Sequence, residues 1–209
     1  MAEINLHLGD CIEAMAKMPD NAYDLAIVDP PYGIGIAKWD DVNMKPTDLY
    51  FKELFRVSSN QIIWGANYFK LPHSQGWICW DKTLKNGKTA LQGKFKSEFE
   101  LAWCSCETKA TFFRYTYDGN IQGFNGGSVD YTFKSIHPTQ KPVALYKWLL
   151  HNYAKEGNKI LDTHGGSMSI AIACHDMGFD LDLWELDKEY YDNGVKRFKE
   201  HTAQIRLEL

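Results

Sequence analysis

The 209 residues are 44% hydrophobic, which is enough for one compact domain with a real core. The formal net charge of −4 excludes a globally basic nucleic-acid-binding protein, so any contact with nucleic acid would need a local basic patch. The chain shows no apolar run near the roughly 18 residues of a membrane span, no signal peptide, and no paired CxxC among its five cysteines, which predicts a cytoplasmic protein with reduced thiols and no metal site.

The first elements are predicted to be a short strand over residues 3–8 and a helix over residues 10–18. Pro19 ends this helix, because proline cannot continue the backbone hydrogen bonding. Asp10 precedes the helix and is a natural N-cap. The sequence therefore begins with a strand and helix pair, typical of α/β proteins.

Residues 23–35, YDLAIVDPPYGIG, are the most informative stretch. Their apolar first half predicts a buried strand, which two prolines end by fixing φ and removing N–H donors. The loop that follows holds Asp29, prolyl carbonyls and the ring of Tyr32 at a strand's carboxyl end, where ligands bind in open α/β sheets. A carboxylate and a carbonyl can each accept one hydrogen of an exocyclic amino group and localise its lone pair in the transition state. Tyr32 offers a stacking face for a base taken out of a duplex.

The next stretch is predicted to add a loop, a helix and a strand. Loop 37–45 could close over a substrate, and helix 47–57 is capped by Thr47. A strand over residues 61–64 leads into Gly-Ala-Asn-Tyr at 65–68. This tetrapeptide at a strand end fits either the rim of a ligand site or a simple turn.

Residues 82–96 form a lysine-rich stretch without acidic residues, after a predicted strand over 76–80. Its glycines and asparagine predict a flexible, exposed loop, whose charges either stay solvated or contact DNA phosphates. The lysines concerned are Lys82, Lys85, Lys88, Lys94 and Lys96.

Two further strands are predicted over residues 97–103, where apolar and other side chains alternate, and over 111–117. Arg114 lies in the second, and residues 118–135 are rich in Gly, Asn, Ser and Tyr. Aromatic rings interleaved with cations suit base stacking and phosphate contact, although they also suit a loop packed by its own rings. We therefore expect a short target-recognition insertion around residues 82–135.

The last third holds two more ligand signals. HPTQKP at 137–142 opens a helix over 143–153, whose first N–H groups, with Lys141, can hold an anion such as a carboxylate. A strand over 159–162, a glycine turn and a helix over 169–177 then form a cofactor cradle. A strand over 180–184 ends in Glu185, where a carboxylate can bind ribose hydroxyls, and Asp187 caps a final helix over 188–203.

The order of DPPY, HPTQKP and the glycine turn resembles that of motifs IV, X and I in the β-type, N6-adenine DNA methyltransferases, especially their small, phage-type, site-specific forms. These motifs span residues 9–187, nearly the whole chain. The resemblance implies a Rossmann-like class I methyltransferase fold, with one α/β domain over residues 1–209. Its sheet would be mostly parallel and seven-stranded, with one reversed strand. The alternation of strands and helices favours an α/β fold independently.

The resemblance implies methyl transfer from S-adenosylmethionine to the N6 amino group of adenine in a specific sequence of double-stranded DNA. Asp29 and the carbonyl of Pro30 would each accept one amino hydrogen, next to Pro31, and Tyr32 would stack on the flipped base. No metal is needed, because the sulfonium of the cofactor already supplies the electrophile.

The residues implied to bind S-adenosylmethionine come from several motifs. The Gly-Asp-Cys step is implied to contact the cofactor's adenine, which gives Asp10 a second role beside capping, and HPTQKP is implied to lie at the methionine end. The set is Asp10, Cys11, Asp29, His137, Thr139, Lys141, Asp162, His164, Gly165, Gly166, Ser167, Glu185 and Leu186. The implied DNA contacts are the five lysines and Arg114.

One departure from the family stands in the glycine turn, where F-x-G-x-G is replaced by residues 164–168, HGGSM. Met168 could crowd the cofactor, which keeps open a decayed, purely DNA-binding homologue. N4-cytosine methylation is the nearer alternative, although that group more often has serine before Pro-Pro-Tyr and Asp29 favours adenine. Methylation of RNA or of a glutamine amide uses a similar loop, but the motif order argues against it.

The recognition region is short for a site-specific enzyme, since reading several base pairs needs a sizeable interface. This predicts either a short target sequence or a homodimer. The resemblance also implies a bacterial setting, with a prophage gene and a restriction–modification role as options.

Overall fold

A computed structural model describes residues 2–35, 40–83, 97–106, 109–117, 122–124, 129–130, 135–137 and 139–203. These residues form an α/β domain, which confirms the predicted fold class. The strands are β1 (Ile4–Leu8), β2 (Tyr23–Val28), β3 (Ser58–Trp64), β4 (Gly76–Asp81), β5 (Phe99–Cys104), β6 (Ala110–Tyr117), β7 (Gln122–Phe124), β8 (Val129–Asp130), β9 (Lys159–Asp162) and β10 (Asp180–Glu185).

Five helices accompany these strands within the described residues. They are α1 (Cys11–Met15), α2 (Asp48–Val57), α3 (Val143–Tyr153), α4 (Ser169–Met177) and α5 (Lys188–Ala203). The bounds predicted for α3, α4 and α5 agree with the structure.

The strands form one sheet in the order β1-β10-β9-β2-β3-β5-β4-β6-β7-β8. From β1 to β4 this is a seven-stranded, mostly parallel sheet in which β5 alone runs in reverse, as predicted. Beyond β4 the sheet continues through β6, β7 and β8, and β7 is again antiparallel to its neighbours. The described sheet thus has three more strands than the seven that the resemblance implies, and β6 among them agrees with the strand predicted over residues 111–117.

Helices cover both faces of the sheet and bury an apolar core on each. On one face α3 and α4 contribute fully buried residues such as Leu149 and Ala171. On the other, α1 and α2 contribute Met15 and Leu54, which pack against β2 and β3. Burying one such Leu or Met side chain stabilises the fold by roughly 1.5–3 kcal/mol, so the core holds the strand ends in place.

The predicted helix caps are confirmed. Asp10 accepts from the backbone N–H of Ile12 at 2.6 Å, and Thr47 accepts from that of Tyr50 at 3.4 Å. Helix α1 ends at Met15, three residues earlier than predicted. After it the backbone hydrogen bonds join residues three apart, as in a 3₁₀ turn: Lys17 donates to Ala14 and Met18 to Met15. The guanidinium of Arg56 donates to the carbonyls of Met15 and Met18 at this end, both at 2.7 Å.

None of the five cysteines forms a disulfide bond in the structure. Within the described parts of the chain, no helix combines the length and the apolar character that crossing a bilayer requires.

Candidate active site

The predicted site residues follow three neighbouring parallel strands at one edge of the sheet. Asp29 follows β2, Asp162 ends β9 and Glu185 ends β10, and these strands are adjacent in the order β10-β9-β2. Carboxyl ends of parallel strands meet at one sheet edge, where ligands bind in open α/β folds. The topology therefore converges on the site that the sequence predicted.

A cavity of about 690 Å³ opens at this edge. It is lined by residues from every predicted motif, together with Pro31 of the DPPY segment. The predicted cofactor residues that line it are Asp10, Cys11, Asp29, His137, Thr139, Lys141, His164, Gly165, Gly166, Ser167, Glu185 and Leu186. Asp162 is the exception: it is buried, and its carboxylate accepts from the N–H of His164 at 3.0 Å.

The glycine turn is held tightly against β10. The N–H of Gly165 donates to the carbonyl of Trp184 at 2.8 Å, and a Cβ at Gly165 would lie 2.3 Å from the side chain of Leu183. Gly166 adopts a left-handed φ of +50°, which glycine tolerates without penalty. These glycines let the backbone line the cavity without side chains.

Glu185 is fixed by backbone hydrogen bonds at the cavity wall. One carboxylate oxygen accepts from Gly166 at 2.7 Å and the other from Asp187 at 2.8 Å. Each oxygen keeps a second acceptor position, as binding of hydroxyl groups requires. Burial raises the pKa of Glu185 and raises that of Asp162 to about 7.

Met168 does not line the cavity, although it occupies the position of the family's last glycine. Its backbone is left-handed, with φ 55° and ψ 30°, and its side chain is fully buried. A Cβ at Gly194 in α5 would lie 2.8 Å from the Met168 Cγ. The side chain thus packs beneath α5 and not into the cavity.

Asp40 organises the DPPY loop, a role that the sequence analysis missed. Its buried carboxylate accepts from the backbone N–H groups of Tyr32 at 2.7 Å, Gly33 at 2.8 Å and Ile34 at 3.2 Å. Successive N–H groups that converge on one anion form a nest, which fixes the loop after the prolines. The signal that the sequence offered for this role is an acidic residue, Asp40, a few positions after Gly33 and Gly35.

The carboxylate of Asp29 is engaged on both oxygens. Oδ1 accepts from the hydroxyl of Tyr32 at 2.6 Å, and Oδ2 pairs with the ammonium of Lys141. Burial raises the pKa of Asp29, and the Lys141 ammonium opposes that rise. Burial beside Asp29 raises the pKa of Tyr32 well above its usual value, so its hydroxyl is the donor.

The ring of Tyr32 lies in an aromatic cluster at the end of β3. It stacks on Tyr68 with a centroid distance of 5.0 Å and an interplanar angle of 14°, and meets the edge of Phe69 at 6.2 Å. Gly65 makes room for this stack, because a Cβ there would lie 2.0 Å from the Tyr32 ring. Asn67 is exposed and does not line the cavity, so Gly65 and Tyr68 are the residues of this tetrapeptide that contact the DPPY loop.

Lys141 lies in a buried chain of ion pairs that the sequence analysis also missed. Its ammonium is 3.2 Å from Glu100, and Glu100 is 2.9 Å from the ammonium of Lys82. Burial alone would raise the pKa of Glu100, but Lys141 and Lys82 lower it to about 2. Nothing in the local sequence distinguishes Glu100 from an exposed strand residue.

The exposed position predicted for Lys82 is wrong, since it is only 8% exposed and its charge is paired with Glu100. Arg114 does lie at the surface, with its side chain 51% exposed and 2.7 Å from Asp81. Lys85, Lys88, Lys94 and Lys96 lie outside the described residues, as does most of the stretch 118–135.

A second hydrogen-bonded chain reaches the cavity from α2. The hydroxyl of Tyr50 is 2.7 Å from the Thr163 Oγ1, which is 2.9 Å from the Nδ1 of His164. All three residues line the cavity, and burial lowers the pKa of His164 to about 4, so this imidazole is neutral near pH 7. Tyr50 was missed because an aromatic residue on a helix's apolar face predicts only core packing.

One cluster of metal-ligand side chains occurs in the described part of the chain, away from the cavity. It comprises His175, Asp176 and His201, and the Lys147 ammonium is 2.7 Å from the Asp176 carboxylate. The lysine already neutralises this carboxylate, so we interpret the cluster as an ion-pair network joining three helices.

Comparison with known proteins agrees with this geometry. Residues 72–196, more than half of the chain, match the family model N6_N4_Mtase, described as DNA methylase. The type II methyltransferase M.HpaI of Haemophilus parainfluenzae is 24% identical, over 90% of this chain and 72% of its own length.

Two solved structures share the fold. The M1.HpyAVI–SAM complex is 18% identical, with a TM-score of 0.61, over 93% of this chain and 99% of its own. The cytosine-N4-specific PvuII DNA methyltransferase is 11% identical, with a TM-score of 0.61, over 97% of this chain and 91% of its own.

Proposed function

The chain belongs to the DNA methylase family N6_N4_Mtase, and we propose that it transfers a methyl group from S-adenosylmethionine to the N6 amino group of adenine in a specific sequence of double-stranded DNA. The observation that carries this proposal is the position of Asp29. Its carboxylate lies at the wall of the cavity, which eleven of the twelve other predicted cofactor residues also line. An amino group held by Asp29 would therefore face the methyl donor.

The cavity's donor set fits S-adenosylmethionine. Glu185 and Asp10 supply carboxylate oxygens for ribose and adenine, and the glycine turn brings the backbone close without side chains. His137 and Thr139, near the start of α3, are the proposed contacts at the methionine end. The bound cofactor supplies a methyl group on a sulfonium, an electrophile that needs no metal.

Asp29 and the carbonyl of Pro30 are the proposed acceptors of the two amino hydrogens. An aromatic amine is a weak nucleophile because its lone pair is delocalised into the ring. Two fixed acceptors localise that lone pair as the new bond forms, so their stabilisation is largest in the transition state. Lys141 holds Oδ2 of Asp29. The amino hydrogen would therefore be accepted by Oδ1, once the Tyr32 hydroxyl has left that oxygen.

Tyr32 must change its contacts when a base enters. In the free protein its hydroxyl donates to Oδ1 of Asp29, the oxygen that the amino group needs, and its ring stacks on Tyr68. A flipped base that stacks on Tyr32 would displace the hydroxyl from Asp29. The Tyr32 hydroxyl thus donates a hydrogen bond to the Asp29 carboxylate until the amino group of the substrate takes its place.

Methylation of cytosine N4 is the second candidate, because the family includes both reactions and the PvuII enzyme shares this fold. Asp29, rather than serine, before Pro-Pro-Tyr favours adenine. The non-enzymatic alternative, a decayed DNA-binding homologue, rested on Met168, whose side chain lies outside the cavity.

Contact with DNA is proposed for exposed Arg114 and for Lys85, Lys88, Lys94 and Lys96, which would give a salt-dependent affinity. A short target sequence or a homodimer remains our proposal for a recognition region of this size. We further propose a cytoplasmic protein of a bacterial, prophage-type restriction–modification setting.

The test is methylation of plasmid DNA by the purified protein, read by base-resolved sequencing, with Asp29→Ala alongside. N6-methyladenine in one short motif, absent with the variant, would support the proposal. N4-methylcytosine would replace adenine with the second candidate, and no modified base with a folded, cofactor-binding protein would favour the decayed homologue.

A further inference from the structure

Asp29 and the three charged residues beneath it form one continuous, largely buried chain. Lys82, at the end of β4, contacts Glu100 of β5 at 2.9 Å; Glu100 contacts Lys141 at 3.2 Å; and Lys141 contacts Asp29. The side chains of Lys82 and Lys141 are 10% and 2% exposed, and those of Glu100 and Asp29 are 24% and 16% exposed. The signs alternate, so the chain as a whole is neutral.

A stability role alone explains this chain poorly. Removing several charges from water costs several kcal/mol for each ion, and buried ion pairs are often no more stabilising than apolar residues of similar volume. The core around them is otherwise apolar: Trp64, over whose ring the Lys141 ammonium lies at 5.3 Å, is fully buried. The chain also ends on the one carboxylate that faces the cavity from the DPPY loop.

We propose that Glu100 is a positioning residue for methyl transfer, because it holds the Lys141 ammonium on Oδ2 of Asp29 and keeps Oδ1 available for the amino group. This inference rests on the function proposed above. Glu100 itself does not line the cavity and reaches the reacting atoms only through Lys141 and Asp29.

The argument is electrostatic. An ammonium group with a single carboxylate partner is most stable between its two oxygens, where it would compete with the amino group for Oδ1. Glu100 draws the ammonium of Lys141 away from that position, because its own Oε2 lies 3.2 Å from Nζ. Lys82 neutralises the other oxygen of Glu100, so Glu100 stays ionised in the core.

The direct test is single-turnover methylation by Glu100→Gln, a change that keeps the shape and removes the charge. Ammonium movement of about 1 Å at Asp29 should lower the methyl-transfer rate by about 10- to 100-fold. The dissociation constants for S-adenosylmethionine and DNA should stay within about threefold, because Glu100 touches neither. Glu98→Gln, an exposed change two residues away, is the matched control and should keep the unmodified rate.

A second variant separates positioning from charge balance. Lys82→Met with Glu100→Gln restores neutrality, which protects the fold if Glu100→Gln alone unfolds. If Glu100 positions Lys141, this double variant stays at least about tenfold slow. If Glu100 only neutralises Lys82, the double variant recovers the unmodified rate, and our inference is overturned.

The outcomes also distinguish the two proposals. An active unmodified protein with a fully active, folded Glu100→Gln overturns the inference alone. An unmodified protein that binds DNA and S-adenosylmethionine but transfers no methyl group overturns the proposed function and this inference with it.

Discussion

Replacing Met168 with glycine should destabilise the fold and leave cofactor affinity unchanged. The left-handed backbone at Met168 costs about 1 kcal/mol, which glycine would recover. The fully buried side chain packs against Gly194, and truncating a buried methionine costs about 2–5 kcal/mol. The second effect is larger, so we expect a net loss of about 1–4 kcal/mol in the free energy of unfolding.

Urea and thermal unfolding measure this loss, and each kcal/mol should lower the melting temperature by about 2–4 °C in a chain of this size. Met168→Leu keeps the volume and should cost less than about 1.5 kcal/mol. Asn21→Gly is a backbone control, since Asn21 is also left-handed but exposed, and it should change stability by less than about 1 kcal/mol.

Calorimetric titration with S-adenosylmethionine tests the second half of the prediction. Because the Met168 side chain lies outside the cavity, the dissociation constant of folded Met168→Gly should match that of the unmodified protein within about threefold. A variant that is as stable as the unmodified protein, or that binds the cofactor about tenfold more tightly, would refute the reasoning.

Three further predictions concern the cavity and its rim. Gly65→Ala should displace the ring of Tyr32, 2.0 Å from the new Cβ, and abolish methylation; a fully active variant would contradict the stack. Tyr32→Phe should keep the methylation rate within about tenfold, since stacking survives, whereas Tyr32→Ala should lose more than that; equal losses would assign the effect to the hydroxyl. His164→Phe tests pH dependence by urea unfolding from pH 4 to 7. His164 has a depressed pKa of about 4, so its stability contribution is present above its unfolded pKa of 6.5 and is lost as pH falls through 4. The difference in free energy of unfolding between the unmodified protein and the variant should fall by up to about 3 kcal/mol from pH 7 to pH 4. The same pH dependence of stability in both proteins would contradict this prediction.

Local signals explain which parts of the fold could be predicted. Helices α3, α4 and α5 follow from local signals at their starts: Pro142 before α3, the glycine turn before α4 and the Asp187 cap of α5. The glycine turn and the DPPY loop were found because proline and glycine restrict the backbone directly. Of the three strands beyond β4, β6 was predicted as a strand over residues 111–117. Strands β7 and β8 were missed, because they are only three and two residues long.

Several contacts that were missed join residues far apart in the chain, although those of Asp40 are local. Tyr50 and Thr163, whose hydroxyls meet at 2.7 Å, are separated by 113 positions, and Lys141 and Asp29 by 112. The lysine-rich composition of residues 82–96 predicted an exposed position for Lys82. In the structure, β4 pairs with β5 so that Trp80 lies opposite Glu100, and Lys82 two residues later reaches the Glu100 carboxylate. Such pairs are decided by sheet topology, which no local window contains.

Base choice and methyl transfer are separable properties in this architecture. Asp29 and the Pro30 carbonyl would contact only an amino group, which adenine and cytosine share. The rings of Tyr32, Tyr68 and Phe69 present flat faces, which either base can stack on. Beyond the preference for adenine that Asp29 indicates, discrimination between the bases would come from groups that read the other edges of the ring. The ion-pair chain would serve either reaction.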